Sequence, residues 1–198
     1  MNQLTGLAGE HWVCSMLARH GWAVSLTRDG MERTDILGVK AIGGERRVIE
    51  VQVKTASDRG ADLDTSLRLG KHGSDVARSK HEWFALVLMP SPAKALSPRT
   101  FIVPRDHVNA ARAITYGQWR FDPEHEGKRT TTLTSALTRL WPFADYEGAW
   151  ELLDLETPQV DVRLDSRLQE WLQLDYVHLP DGHPWQKSKT PWALPALS

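Results

Sequence analysis

The sequence predicts an α/β domain, a mixed β-sheet flanked by helices. Three observations carry that prediction: a helical stripe at the start of the chain, a meander of strand-like runs folded around a glycine pair, and a continuously apolar run near the middle. In the first, Leu7, Glu10, Val13, Cys14 and Leu17 recur at helical spacing, while His11, Ser15 and Arg19 fall on another face. Gly21 follows the basic Arg19 and His20, as a helix C-terminus prefers. Trp22 to Thr27 then reads as a strand. Thr34 to Ala41 is a second, and Gly43-Gly44 joins it as a tight hairpin to a third, Arg46 to Thr55. Val76 to His81 is expected as a short helix and Trp83 to Met89 as a buried strand. A proline-rich loop leads to a strand at Thr100 to Val103, and a helix is expected over Arg105 to Ile114.

The composition narrows the function classes. The chain has 198 residues, 41% of them hydrophobic and 25% charged, as a globular domain does. A formal charge of -1 excludes a histone-like basic protein, but not a nucleic-acid enzyme with a local basic surface. The single Cys14 excludes an internal disulfide framework and a cysteine-built zinc site, so a reducing compartment is expected. The start of the chain lacks the pattern of a secretory signal, and the apolar run at Trp83 to Met89 is far shorter than the roughly 20 residues of a membrane span. A cytoplasmic location with no membrane partner is the expectation. Residues 154–198 hold seven acids and four bases, with Pro158, Pro180, Pro184, Pro191 and Pro195 and with Trp171, Trp185 and Trp192. This divides the chain into a main domain, 1–153, and a Trp/Pro-rich C-terminal extension, 154–198, with one short helix near Ser166 to Leu174. The extension is expected to pack on the domain or on a partner subunit.

The chemistry-bearing segment is Val48 to Thr55. Strand alternation turns Ile49, Val51 and Val53 to one face and Glu50, Gln52 and Lys54 to the other. Alone, this describes an ordinary half-solvated strand. Asp35, however, opens the preceding strand, and the hairpin brings it laterally close to Gln52 and Lys54. Glu10 lies on the apolar stripe of the first helix, where a carboxylate is costly unless paired, hydrogen-bonded or bound to metal. A helix-flank residue reaching solvent is the alternative there.

Glu10 in Gly-Leu-Ala-Gly-Glu, Asp35 in Thr-Asp-Ile-Leu-Gly and then Gln52-Val53-Lys54 resemble the PD-(D/E)xK nuclease superfamily. The likeness is to the variant with Gln in place of the second acid, as in Mrr-type restriction endonucleases, and it covers Leu4 to Val103. Two departures stand out. Thr34 occupies the place of the proline before the acid, and Gln52 that of the second acid. Glu50, two residues earlier on the same face, is open to three roles: ligand, spectator or structural partner.

The resemblance implies a restriction-endonuclease-like fold and a metal-dependent endonuclease acting on DNA in defence, restriction or repair. Mg2+, with Mn2+ able to substitute, would be held by Asp35, Gln52, the carbonyl of Val53 and, through water, Glu10. Lys54 would orient the attacking water and neutralise developing charge. Double-stranded DNA is the expected substrate, and cutting both strands would call for a homodimer. Arg68, Lys71, His72, Arg78 and Lys80 form the basic cluster best placed for phosphates; a solvated basic loop is an equal alternative. Arg33 is open to a phosphate contact or to an ion pair with Glu32 or Glu10. From a different class of function comes a catalytically silent module that binds nucleic acid or protein.

Overall fold

The fold is described from a computed structural model over residues 3–27, 32–94 and 96–187, so Pro191, Trp192 and Pro195 lie outside the described residues. At its centre is a five-stranded mixed sheet. Its strands are β1 (Ala23–Leu26), β2 (Ile36–Ile42), β3 (Glu45–Ser57), β5 (Glu82–Met89) and β6 (Arg99–Pro104). They lie side by side in that order. The first three form an antiparallel meander, β5 runs parallel to β3, and β6 returns antiparallel. Two short strands, β4 (Ser66–Leu67) and β7 (Thr138–Arg139), pair separately. Gly43 and Gly44 close the β2–β3 hairpin with φ of 60° and 84°. A left-handed pair of this kind matches the twist of the flanking strands in a two-residue turn. The register follows, with Ile42 opposite Glu45.

Each face of the sheet is covered by a helix. On one, α1 (Gln3–Arg19) approaches β3 closely at Gly9, where a Cβ would lie 2.0 Å from Thr55 Oγ1. Thr55, Val87 and Thr100 form a cross-strand row, and Trp12 Nε1 donates to Thr100 Oγ1 at 3.0 Å. The buried stripe is Gly9, Val13 and Leu17. Leu7, expected on it, is 46% exposed, because it lies about 200° round the helix from Gly9. On the other face, α2 (Arg105–Phe121) sets the Arg105 guanidinium 4.6 Å from the Phe84 ring centre. Phe84 aligns with Gln52 across the β3–β5 pair. With both faces covered, β5 is buried from Glu82 to Leu88, which explains its unbroken apolar run.

Two elements differ from expectation. The helix α2 continues beyond Ile114 to Phe121; its last turns include exposed Trp119 and Phe121 and therefore lack the apolar spacing of a buried stripe. Val76 to His81 is not helical. Arg78 N and Ser79 N both donate to Glu82 Oε1, at 2.6 and 3.0 Å, and Ala77 N donates to Asp106 Oδ1 at 2.8 Å. Side-chain acceptors thus take the amides a helix would use. Further on, α3 (Arg167–Leu172) falls within the expected helix of the extension. Val160, Leu164, Leu168 and Val177 join the same buried cluster as the sheet residues.

Candidate active site

β2 separates from β3 beyond the Ile36–Val51 pair. Val51 and Val53 turn their amides to the same side of β3, so Val53 faces the gap that β2 leaves. Asp35, just before β2 rather than inside it, fills that gap: its Oδ2 accepts the Val53 N–H at 2.6 Å, while its own N–H donates to Val51 O at 3.0 Å. The Val53 carbonyl opens toward the same side as its N–H. Lys54 follows directly, half-buried and turned to the α2 face. Among the described residues its side chain makes neither a hydrogen bond nor an ion pair. An anionic group and an ammonium therefore flank one fork in the sheet.

What holds this fork is a buried ionic cluster that the sequence did not reveal. Glu82 Oε2 lies 2.7 Å from Arg33 Nη2 and 2.7 Å from Arg105 Nε. Arg33 also donates to Val76 O at 2.8 Å. Arg105 Nη2 donates to Arg33 O at 3.0 Å and to Gln52 Oε1 at 3.1 Å. Burial pushes the Arg105 pKa down to about 10 against the pull of Glu82, so the guanidinium stays charged at neutral pH. Arg33 sits at φ 76°, a costly conformation for a residue other than glycine. Its carbonyl and side chain are both pinned, and the turn it makes delivers Asp35 to Val53. The strand register places Glu82 beside Arg105, since Trp83 pairs with Pro104. A charged residue at the end of each of two buried strands was the available signal, because such charges must be paired.

The expected site residues separate on this scaffold. Asp35, Gln52 and Lys54 are neighbours, but Gln52 is 6% exposed and its amide oxygen is committed to Arg105. Glu50 accepts from Thr34 Oγ1 at 3.1 Å, a partner that steadies the turn before Asp35. Glu10 rides on α1, on the Thr55 side of β3, whereas Gln52 and Lys54 project to the other side. Burial, with help from Glu10, raises the Cys14 thiol pKa. Arg33 is buried against Glu82 and Asp75, not against Glu32 or Glu10, and this removes it from the phosphate-contact surface. His72 is held between Glu32 and Asp75, at 3.4 and 2.8 Å, and Lys80 pairs with Glu156. Arg68, Lys71 and Arg78 remain exposed.

A divalent cation fits this donor set in part. The Asp35 carboxylate and the Val53 carbonyl are hard oxygens facing one gap, as Mg2+ prefers. Gln52 does not suit the role, since a guanidinium already donates to its oxygen and would repel a second cation. Among the described residues, Asp122, Glu124 and His125 bring three ligand atoms within 4.8 Å of one another. They do so in an exposed turn where Asp122 already accepts from Glu124 N and pairs with His125. No described helix is long and apolar enough to cross a membrane. Compared with protein-family models, curated proteins and solved structures, the chain finds no match in any of the three.

Proposed function

We propose that this chain hydrolyses phosphodiester bonds of nucleic acid, DNA first, at the fork between β2 and β3. The observation that carries the proposal is the Asp35 carboxylate, clamped on Val53 N–H at 2.6 Å, with Lys54, whose side chain has no partner among the described residues, next along the strand. An acid is held at a strand fork by a strained turn, and beside it stands a lysine with no counter-ion among the described residues. The resemblance of the Asp35 and Gln52-Val53-Lys54 segments to PD-(D/E)xK nucleases points the same way. Bound Mg2+, or Mn2+ in its place, would supply positive charge to the phosphoryl oxygens, with Asp35 and the Val53 carbonyl as its protein ligands. Lys54 would orient the attacking water and meet the charge that develops on the phosphate. Arg105, through Gln52 and the Arg33 carbonyl, would act as a positioning residue for the fork. Cutting both strands of a duplex would call for two copies of the chain.

A second possibility has its own support. Arg105 on Gln52, and Glu10 on the opposite side of β3, are what a nuclease-like module without catalysis would also tolerate. A plasmid and oligonucleotide cleavage assay with Mg2+, Mn2+ or chelator separates the two. Wild type is expected to cut only with metal, and Asp35→Ala and Lys54→Ala are each expected to lower the rate roughly 100-fold or more. Undiminished metal-dependent cleavage in both variants would remove the proposal. Binding without cutting by wild type would favour the silent module.

A further inference from the structure

Away from the fork, a groove of about 950 Å³ opens where the β3–β5 connection, the second half of α2, the segment around β7 and α3 meet. Three guanidinium groups, Arg68, Arg139 and Arg167, and three indoles, Trp119, Trp141 and Trp171, line it. We propose that this groove binds single-stranded nucleic acid, with bases against the indoles and phosphates on the arginines.

The composition of the wall carries the inference. Trp119, in the more exposed last turns of α2, is 38% exposed, and the Arg129 guanidinium lies 5.1 Å from its ring centre. Trp141 and Trp171 stand edge to face, centres 5.8 Å apart, and the Arg167 guanidinium lies 4.0 Å from the Trp141 ring centre. A guanidinium lying over an indole shows that this ring face is reachable by a planar group, and a base would take the same face in its place. Among the described residues Arg68 makes no ion pair. Arg139 and Arg167 pair with Asp64 and Asp165 at 2.9 Å. These are exposed pairs of small net worth, and a phosphate can take the place of the carboxylates at little cost. Asp62, on the rim, is already bound by Arg99.

The same features decide among ligands. A neutral sugar would use the indoles but draw nothing from the three guanidinium groups, and an acidic peptide would use the cations but not three indoles. A duplex keeps its base faces stacked inside the helix, out of reach of side-chain rings. Unpaired nucleotides offer both an anionic backbone and free base faces. The groove stands on its own chemistry and not on Asp35 or Lys54, so it can be tested with divalent metal chelated.

The experiment uses the full chain in EDTA with fluorescein-labelled oligo-dT and oligo-rU of 15 nucleotides, a duplex of equal length and polyglutamate as competitors. Saturable binding that quenches tryptophan fluorescence and weakens with added salt is expected for at least one single strand; its preference between dT and rU identifies the source. Arg68→Ala and Trp119→Ala alter exposed side chains outside the core, and each is expected to weaken binding roughly 10-fold. Asp35→Ala is expected to bind as wild type. Equal or tighter binding of duplex or polyglutamate, or unchanged affinity in both groove variants, would overturn the proposal. Groove binding without cleavage would remove the proposed activity and leave this inference standing, and cleavage without groove binding would do the reverse.

Discussion

His107 lies on α2 beneath the C-terminal segment, with its Nδ1 2.6 Å from Tyr146 OH and its ring 5.0 Å from that of Trp185. Tyr146 OH itself accepts the Arg163 N–H at 2.8 Å and keeps one proton, which the Nε2–H tautomer of His107 can accept at Nδ1. Burial, reinforced by nearby His183, pushes the His107 pKa from 6.5 to about 3. Burial lowers the His183 pKa as well. Between pH 6.5 and about 3 the unfolded chain takes up a proton at position 107 that the folded chain refuses. Folding stability from this group is therefore fully present above 6.5 and falls on acidification, by about 1.4 kcal/mol per pH unit. His107→Gln, which keeps an acceptor for the tyrosine, is expected to flatten that acid limb by up to the same slope in urea titrations at pH 7, 6 and 5. An unchanged slope would mean that the ring is protonated inside the fold.

At the scale of elements, the contact between α1 and β3 is set by one missing methyl group. A Cβ at Gly9 would meet Thr55 Oγ1 at 2.0 Å and Thr55 Cβ at 3.0 Å, so the helix itself must move. Gly9→Ala is expected to lose about 1–3 kcal/mol in urea unfolding despite its gain in helix propensity; a gain in stability would show that α1 lies further from the sheet. This contact also explains where sequence pattern stops being informative. Helix period and strand alternation locate α1, the meander and β5, because each has a buried face written in consecutive residues. They do not reveal which face of β3 the helix covers, and so the expected pocket of Glu10 with Asp35, Gln52 and Lys54 was assigned no face; α1 packs on the Thr55 side. Asp35 was legible because a glycine hairpin fixes its distance from Val53. The partner of Gln52 was not, since Arg105 reaches it across 53 residues of chain. The unwound Val76 to His81 segment likewise depends on Glu82 and on Asp106, and no local propensity encodes that capture.

Over the whole molecule, the segment after Leu153 completes the core of the sheet domain. Val160, Leu164, Leu168 and Val177 are each at most 6% exposed within the cluster that holds the strands, and Val177 packs 3.4 Å from the Cβ position of Gly117 on α2. Asp154 and Glu156 anchor its start on Lys40 and Lys80, while His183 Nε2 meets Asp106 O at the base of α2, one residue from Arg105. Burial of an aliphatic side chain is worth about 1.5–3 kcal/mol, so four of them rival the 5–15 kcal/mol that holds an ordinary domain together. A chain ending after Leu153 is expected to lose cooperative thermal unfolding and to bind a hydrophobic dye, with Asp35 and Lys54 untouched in sequence. Retention of a sharp transition within a few degrees of the full chain would make the segment a dispensable layer. If cooperativity is lost, α2 loses its support and Arg105 its fixed position, and the fork that depends on both cannot survive in the shorter chain.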